Sequence, residues 1–91
     1  MSKQFLHIAF KWQGEPKITE IKPAFDNAID WIRYAPNCWI VWTSNDPDKW
    51  FERLKPYLGE SDHMLICAVD LTVRNGWLPK NVWEWINKKR A

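Results

Sequence analysis

The sequence offers few of the features that would announce a chemistry. Its charges nearly cancel, with 13 Lys plus Arg against 11 Asp plus Glu and a formal net charge of +2. An excess that small does not by itself argue for a nucleic-acid partner. Cysteine is scarce: Cys38 and Cys67 each sit inside an apolar run, where a free thiol behaves as a small hydrophobe. That placement argues against a disulfide framework and for a reducing, cytoplasmic setting. The two histidines, His7 and His63, stand at no zinc-ligand spacing. No apolar stretch is long enough to span a bilayer, and the opening Met1-Ser2-Lys3-Gln4 has no signal-peptide profile. A cytoplasmic protein with no membrane partner is therefore expected. Repeats, linkers and low-complexity segments are also missing, and 91 residues suit a single domain, 1–91.

What the chain does have is tryptophan. Eight are present, at positions 12, 31, 39, 42, 50, 77, 83 and 85. A small domain buries a modest share of its surface, so side chains that each remove much apolar area from water are valuable to it. Their spread over every regular segment predicts use in the core rather than in one binding patch.

Hydrophobic periodicity divides the chain into elements. Phe5 to Trp12 alternates with a two-residue period and predicts a first strand. The stretch Gly14–Lys22 is a connection that could add a strand. Phe25, Ala28, Ile29 and Ile32 recur at helical spacing and predict a helix over Pro23–Arg33, stopped by the Ala35-Pro36 step. Cys38–Thr43 is apolar on both alternating faces, as is Met64–Leu71, so both are predicted as strands covered on two sides. Between them, Asp46, Pro47 and Asp48 cap a helix running to about Leu58, with Trp50, Phe51, Leu54 and Leu58 inward and Pro56 kinking its last turn. Asn75-Gly76 is a turn, and Pro79 opens a last helix that buries Trp83 and Ile86. Strands alternating with helices predict largely parallel neighbours within an α/β or α+β sandwich.

Several residues invite functional readings. Asp46, Asp62 and Asp70 fall at element ends and could converge on a divalent metal, but capping and turn formation account for the same placements. Lys11, Lys88, Lys89 and Arg90 are the candidates for a nucleic-acid contact, against which three charges at a helix end are also what a helix C-terminus favours. A sheet that displays tryptophans could stack single-stranded RNA bases. Trp39 and Trp42 lie on opposite faces of their strand, however, so only one can serve. With helices covering one sheet face, the other would be left apolar. Either the final helix folds back over it or a second copy of the chain covers it, and a second copy would give a homodimer with interface residues Phe5, His7, Trp39, Met64 and Ile66. No cofactor is called for.

The segment Gly76-Trp77-Leu78-Pro79-Lys80-Asn81-Val82-Trp83-Glu84-Trp85-Ile86 resembles the closing motif of the SinR-like family of small ferredoxin-fold proteins. The run Cys38-Trp39-Ile40-Val41-Trp42-Thr43, the acidic capped helix after it and Asp62 before the third strand extend the likeness over roughly the C-terminal two-thirds of the chain. The resemblance implies an α+β, ferredoxin-like sandwich: a small twisted sheet with helices on one face and a C-terminal helix. It also implies kinship with the small dimeric subunit of CRISPR spacer-acquisition complexes. Some of those relatives are metal-dependent endoribonucleases with an aspartate directly after an aromatic residue near the end of the first strand. Here the matching pair is Phe10-Lys11, and an ammonium cannot hold the metal as a carboxylate does. The expectation is thus a non-catalytic homodimeric interaction protein with a link to prokaryotic or phage defence. A divalent-metal nuclease and a single-stranded RNA-binding module are the alternatives.

Overall fold

A computed structural model describes residues 2–90 and shows an α+β protein built on one four-stranded, open, antiparallel sheet. The elements run β1 (Gln4–Lys11), α1 (Ile18–Phe25), β2 (Asp30–Ala35), β3 (Cys38–Thr43), α2 (Pro47–Leu54), a 3₁₀ turn (Lys55–Tyr57), β4 (His63–Val69) and α3 (Lys80–Arg90). The sheet order is β2-β3-β1-β4. Every neighbouring pair is antiparallel, β1 with β3 in the register Phe5↔Trp42 and β1 with β4 in the register Phe5↔Val69. The expected parallel neighbours are therefore corrected. Each helical connection carries the chain past an intervening strand, so sequence alternation of strands and helices does not here produce parallel pairing.

The strand alternation feeds two cores. Leu6, Ile8, Trp39 and Val41 point to the first face, where Ile21, Ala24 and Phe25 of α1 and Trp50 and Leu54 of α2 close over them. Trp39 is fully buried there, its ring parallel to that of Phe25 at 4.7 Å between centroids and met edge-on by Phe10 at 5.4 Å. Phe5 and Ile40 point to the second face, which Val82 and Ile86 of α3 seal with Trp42, Trp83 and Trp85 around them. Of the two covers the sequence left open for this face, the chain's own last helix is the one that lies on it. Its polar anchor is Asp30. Trp85 Nε1 donates to Asp30 Oδ2 at 3.1 Å, and Lys89 Nζ lies 2.7 Å from the same oxygen.

The expected helix over Pro23–Arg33 is the largest misreading. The helix occupies Ile18–Phe25, starts inside the Gly14–Lys22 connection and ends where it was expected to begin. The N–H groups of Asp26, Asn27 and Ala28 donate to the carbonyls of Pro23, Ala24 and Phe25, which closes the helix with a tight turn. The remaining residues form β2, with Trp31 packing on the first core and Ile32 on the second. Ile29, read as part of a buried stripe, is exposed.

The second helix also ends early. Asp46 Oδ1 accepts from Lys49 N at 2.9 Å and Pro47 fills the first turn, as the sequence predicts. Pro56 has no N–H to extend the ladder, and the chain tightens into the 3₁₀ turn after Leu54. Trp50 is buried and donates through Nε1 to Thr43 Oγ1 at 3.1 Å, whereas Phe51 is exposed. Finally, Met64–Leu71 is not a strand covered on two sides. β4 spans His63–Val69 at the sheet edge, with Leu65 exposed and Met64, Ile66, Cys67 and Val69 only partly buried. No described helix is long and apolar enough to cross a membrane.

Candidate functional site

The three aspartates proposed for a metal do not converge, because each is engaged by backbone near it. Asp46 caps α2. Asp62 accepts from Gln13 N at 2.8 Å through Oδ1 and from Gly59 N at 2.7 Å through Oδ2, tying the loop after β1 to the loop before β4. Those two backbone bonds, ahead of any other influence, hold its carboxyl below the ordinary carboxylate range. Asp70 accepts from Thr72 N at 2.9 Å in the turn that leaves β4. Among the described residues no three His, Cys, Asp or Glu side chains gather closely enough to share a metal ion.

The cationic candidates are equally dispersed. Lys11 is exposed at the end of β1, opposite His63. Lys89 is paired with Asp30 and lies over the Trp85 ring at 5.8 Å, so it belongs to the helix anchor. Lys88 is exposed. The Arg90 side chain lies outside the described residues. Of the residues assigned to an interface, Trp39 is enclosed beneath α1 and α2 and has no surface to offer, and Phe5 is buried beneath α3. Met64 and Ile66 pack against the first core, on the face opposite Phe5 and His7. The five do not form one surface.

Half-buried on the second face is a short polar chain. His7 Nε2 and the Tyr34 hydroxyl are hydrogen-bonded at 2.5 Å. Burial, reinforced by a hydrogen bond and charge from Cys38, pushes the Tyr34 phenol up to about 12, so it stays protonated. Burial also lowers the His7 imidazole below its ordinary 6.5. A linkage effect follows. The unfolded chain takes up a proton near 6.5 before the folded one does, so stability falls as pH drops through that region and is fully present above it. Urea denaturation at about pH 7 and about pH 5 should show the loss, and His7→Gln should flatten it. An unchanged slope in that variant would assign the pH dependence elsewhere.

The feature with the clearest capacity to bind lies beside α3. The segment between β4 and α3, together with α3, borders a half-open apolar cavity of about 250 Å³ whose lining includes Tyr34, Ile40, Leu71, Leu78, Trp83 and Ile86. Arg74 holds that segment in place: its guanidinium donates to Leu71 O at 2.7 Å and to Asn87 Oδ1 on α3. At the cavity rim Trp77 is 99% exposed, and Val73 on the same segment is 93% exposed. Seven tryptophans serve the packing as the sequence predicts. Trp77 does not, and reading all eight as core missed it. The available signal was its position between the Asn75-Gly76 turn and Pro79, in a segment with no periodic apolar partner.

No protein-family model matches the chain, and neither the curated proteins nor the solved structures contain a match to it.

Proposed function

We propose that this chain is a non-catalytic interaction protein of ferredoxin-like build that works as a homodimer and docks a partner protein through the Trp77 segment. The observation that carries the docking is the fully exposed Trp77, with Val73, beside an apolar cavity on a segment pinned by Arg74. An exposed aromatic anchor held on a fixed backbone is what protein interfaces concentrate their energy in, because its large area is buried at little cost in chain entropy. The ferredoxin-like reading is supported by the succession β1-α1-β2-β3-α2-β4 with sheet order β2-β3-β1-β4, the split βαβ arrangement, to which α3 is added. The likeness to the SinR-like family supports the homodimer and a setting in prokaryotic or phage defence. Lys11 at the position of those relatives' carboxylate, and aspartates already engaged by backbone, support the non-catalytic part.

The test has two arms. A partner captured from the native host should be remeasured with purified components against Trp77→Ala. Loss of a hot-spot tryptophan is expected to weaken binding by about 2 kcal/mol or more, roughly 30-fold, without altering the melting temperature. A partner that binds both proteins equally removes the docking assignment. In the second arm, labelled RNA and DNA incubated with magnesium or manganese should remain intact, and cleavage that followed the protein through purification would overturn the non-catalytic reading.

A further inference from the structure

The sheet has two free edges, and they are built differently. β2, one edge, begins at Asp30 and carries Arg33, and its pairing with β3 shifts register between Arg33 and Ala35. Pro36 follows, and the Arg33 guanidinium bonds its carbonyl at 2.8 and 3.0 Å. Charge, an irregularity and a proline are the devices by which a sheet edge is kept from accepting another strand. β4, the other edge, has none of them. Its seven residues His-Met-Leu-Ile-Cys-Ala-Val contain no Asp, Glu, Lys, Arg, Pro or Gly, and its register with β1 runs unbroken from Val69 to His63. Among the described residues β4 pairs with β1 alone, so its outer row of backbone N–H and C=O groups faces away from the sheet.

We infer that β4 is a self-pairing edge, which joins antiparallel to β4 of a second copy about a two-fold axis and merges two four-stranded sheets into one. The occupant is chosen by charge and symmetry. A strand paired with its own copy meets like charge wherever it carries charge near the axis, and Met64 to Val69 carry none. The side chains next to the edge agree. Leu65 is 63% exposed on the second face, beyond the reach of α3, next to its β1 partner Ala9. A partner strand laid along β4 would cover Leu65. The inference rests on the homodimer reading and names its surface, which is distinct from the Trp77 segment. A single strand pair buries less than the ~1,200–2,000 Å² of a standard interface, the size class of transient contacts, so the test spans a wide concentration range.

Sedimentation of the full chain from about 1 µM to about 1 mM, with hydrogen exchange at both ends of that range, tests it. Dimer should form on concentration, and amides of residues 63–69 should gain protection while those of 30–35 do not. Leu65→Lys places a charge beside the axis at an exposed position and should raise the dissociation constant at least ~10-fold with its melting temperature unchanged at low concentration. Ile29→Lys, exposed away from this edge, should leave dimerisation alone. A wild-type monomer at every concentration overturns both the homodimer and this surface. A dimer whose protection appears elsewhere, or which Leu65→Lys leaves intact, overturns the surface and keeps the homodimer.

Discussion

Replacing Trp39 by alanine is expected to cost about 3–5 kcal/mol of folding free energy, out of the 5–15 kcal/mol that a domain typically has. The ring is fully buried on a central strand, stacked on Phe25, met by Phe10, and covered on another side by the Arg33 guanidinium at 5.4 Å. Neighbours from β1, β2 and α1 cannot all collapse into the space it leaves, so both its transfer energy and the cavity term apply. Trp39→Phe separates the two. The indole Nε1 is buried without a partner, and phenylalanine removes that unpaired donor with part of the volume, so the aromatic replacement should cost much less than alanine. Urea titrations that keep one denaturant slope across the series would measure this. A Trp39→Ala loss under ~1 kcal/mol would mean that the first core is organised around another residue.

Ile86→Ala is the second large loss, expected at about 2–5 kcal/mol. Ile86 and Val82 are the buried residues by which α3 grips Phe5 and Ile40, helped by the partly buried Trp83 and Trp85, the Asp30 anchor and the Arg74 contact to Asn87. Loosening the helix bares the second face, so the variant should also bind an apolar dye and associate at concentrations where the parent does not. Lys88→Ala, exposed on the same helix, should stay within about 0.5 kcal/mol of the parent. Should Ile86→Ala melt like the parent, α3 would not be what seals that face. Asp30 gives the same attachment a dependence on acidity. Burial alone would raise its carboxyl, but the hydrogen bonds from Lys89, Trp31 N–H and Trp85, with the charge of Lys89, bring it below its ordinary value. Its contribution is present above that value and is lost as pH falls through the lowered one.

The elements legible in the sequence were those where local chemistry and tertiary setting agree. The two-residue period of β1, the apolar run of β3 and the Asp46-Pro47 start of α2 each survive because propensity, capping and burial point the same way. The Phe25 to Ile32 stretch failed because its helical spacing is accidental. Phe25 belongs to the end of one element, while Ile32 belongs to a strand whose Trp31 and Ile32 serve opposite cores. The two-faced run of β4 was read as a covered strand, yet sheet order is a long-range property, and it puts that run at the edge. The candidate site was the least legible part. A tryptophan in the core and a tryptophan held out to solvent are the same letter, and only the turn before Trp77 and the Arg74 contacts that fix the segment distinguish them.

The location of α3 also shapes the chain's life during synthesis. Every strand of the sheet has been made by Val69, but the residue that completes the second face, Ile86, follows 17 positions later. Until that last-made helix docks, Phe5, Ile40 and Trp42 on the second face are uncovered, so association between half-folded chains competes with the docking step. The yield of folded product on refolding should therefore fall as protein concentration rises, and Ile86→Ala should steepen that fall.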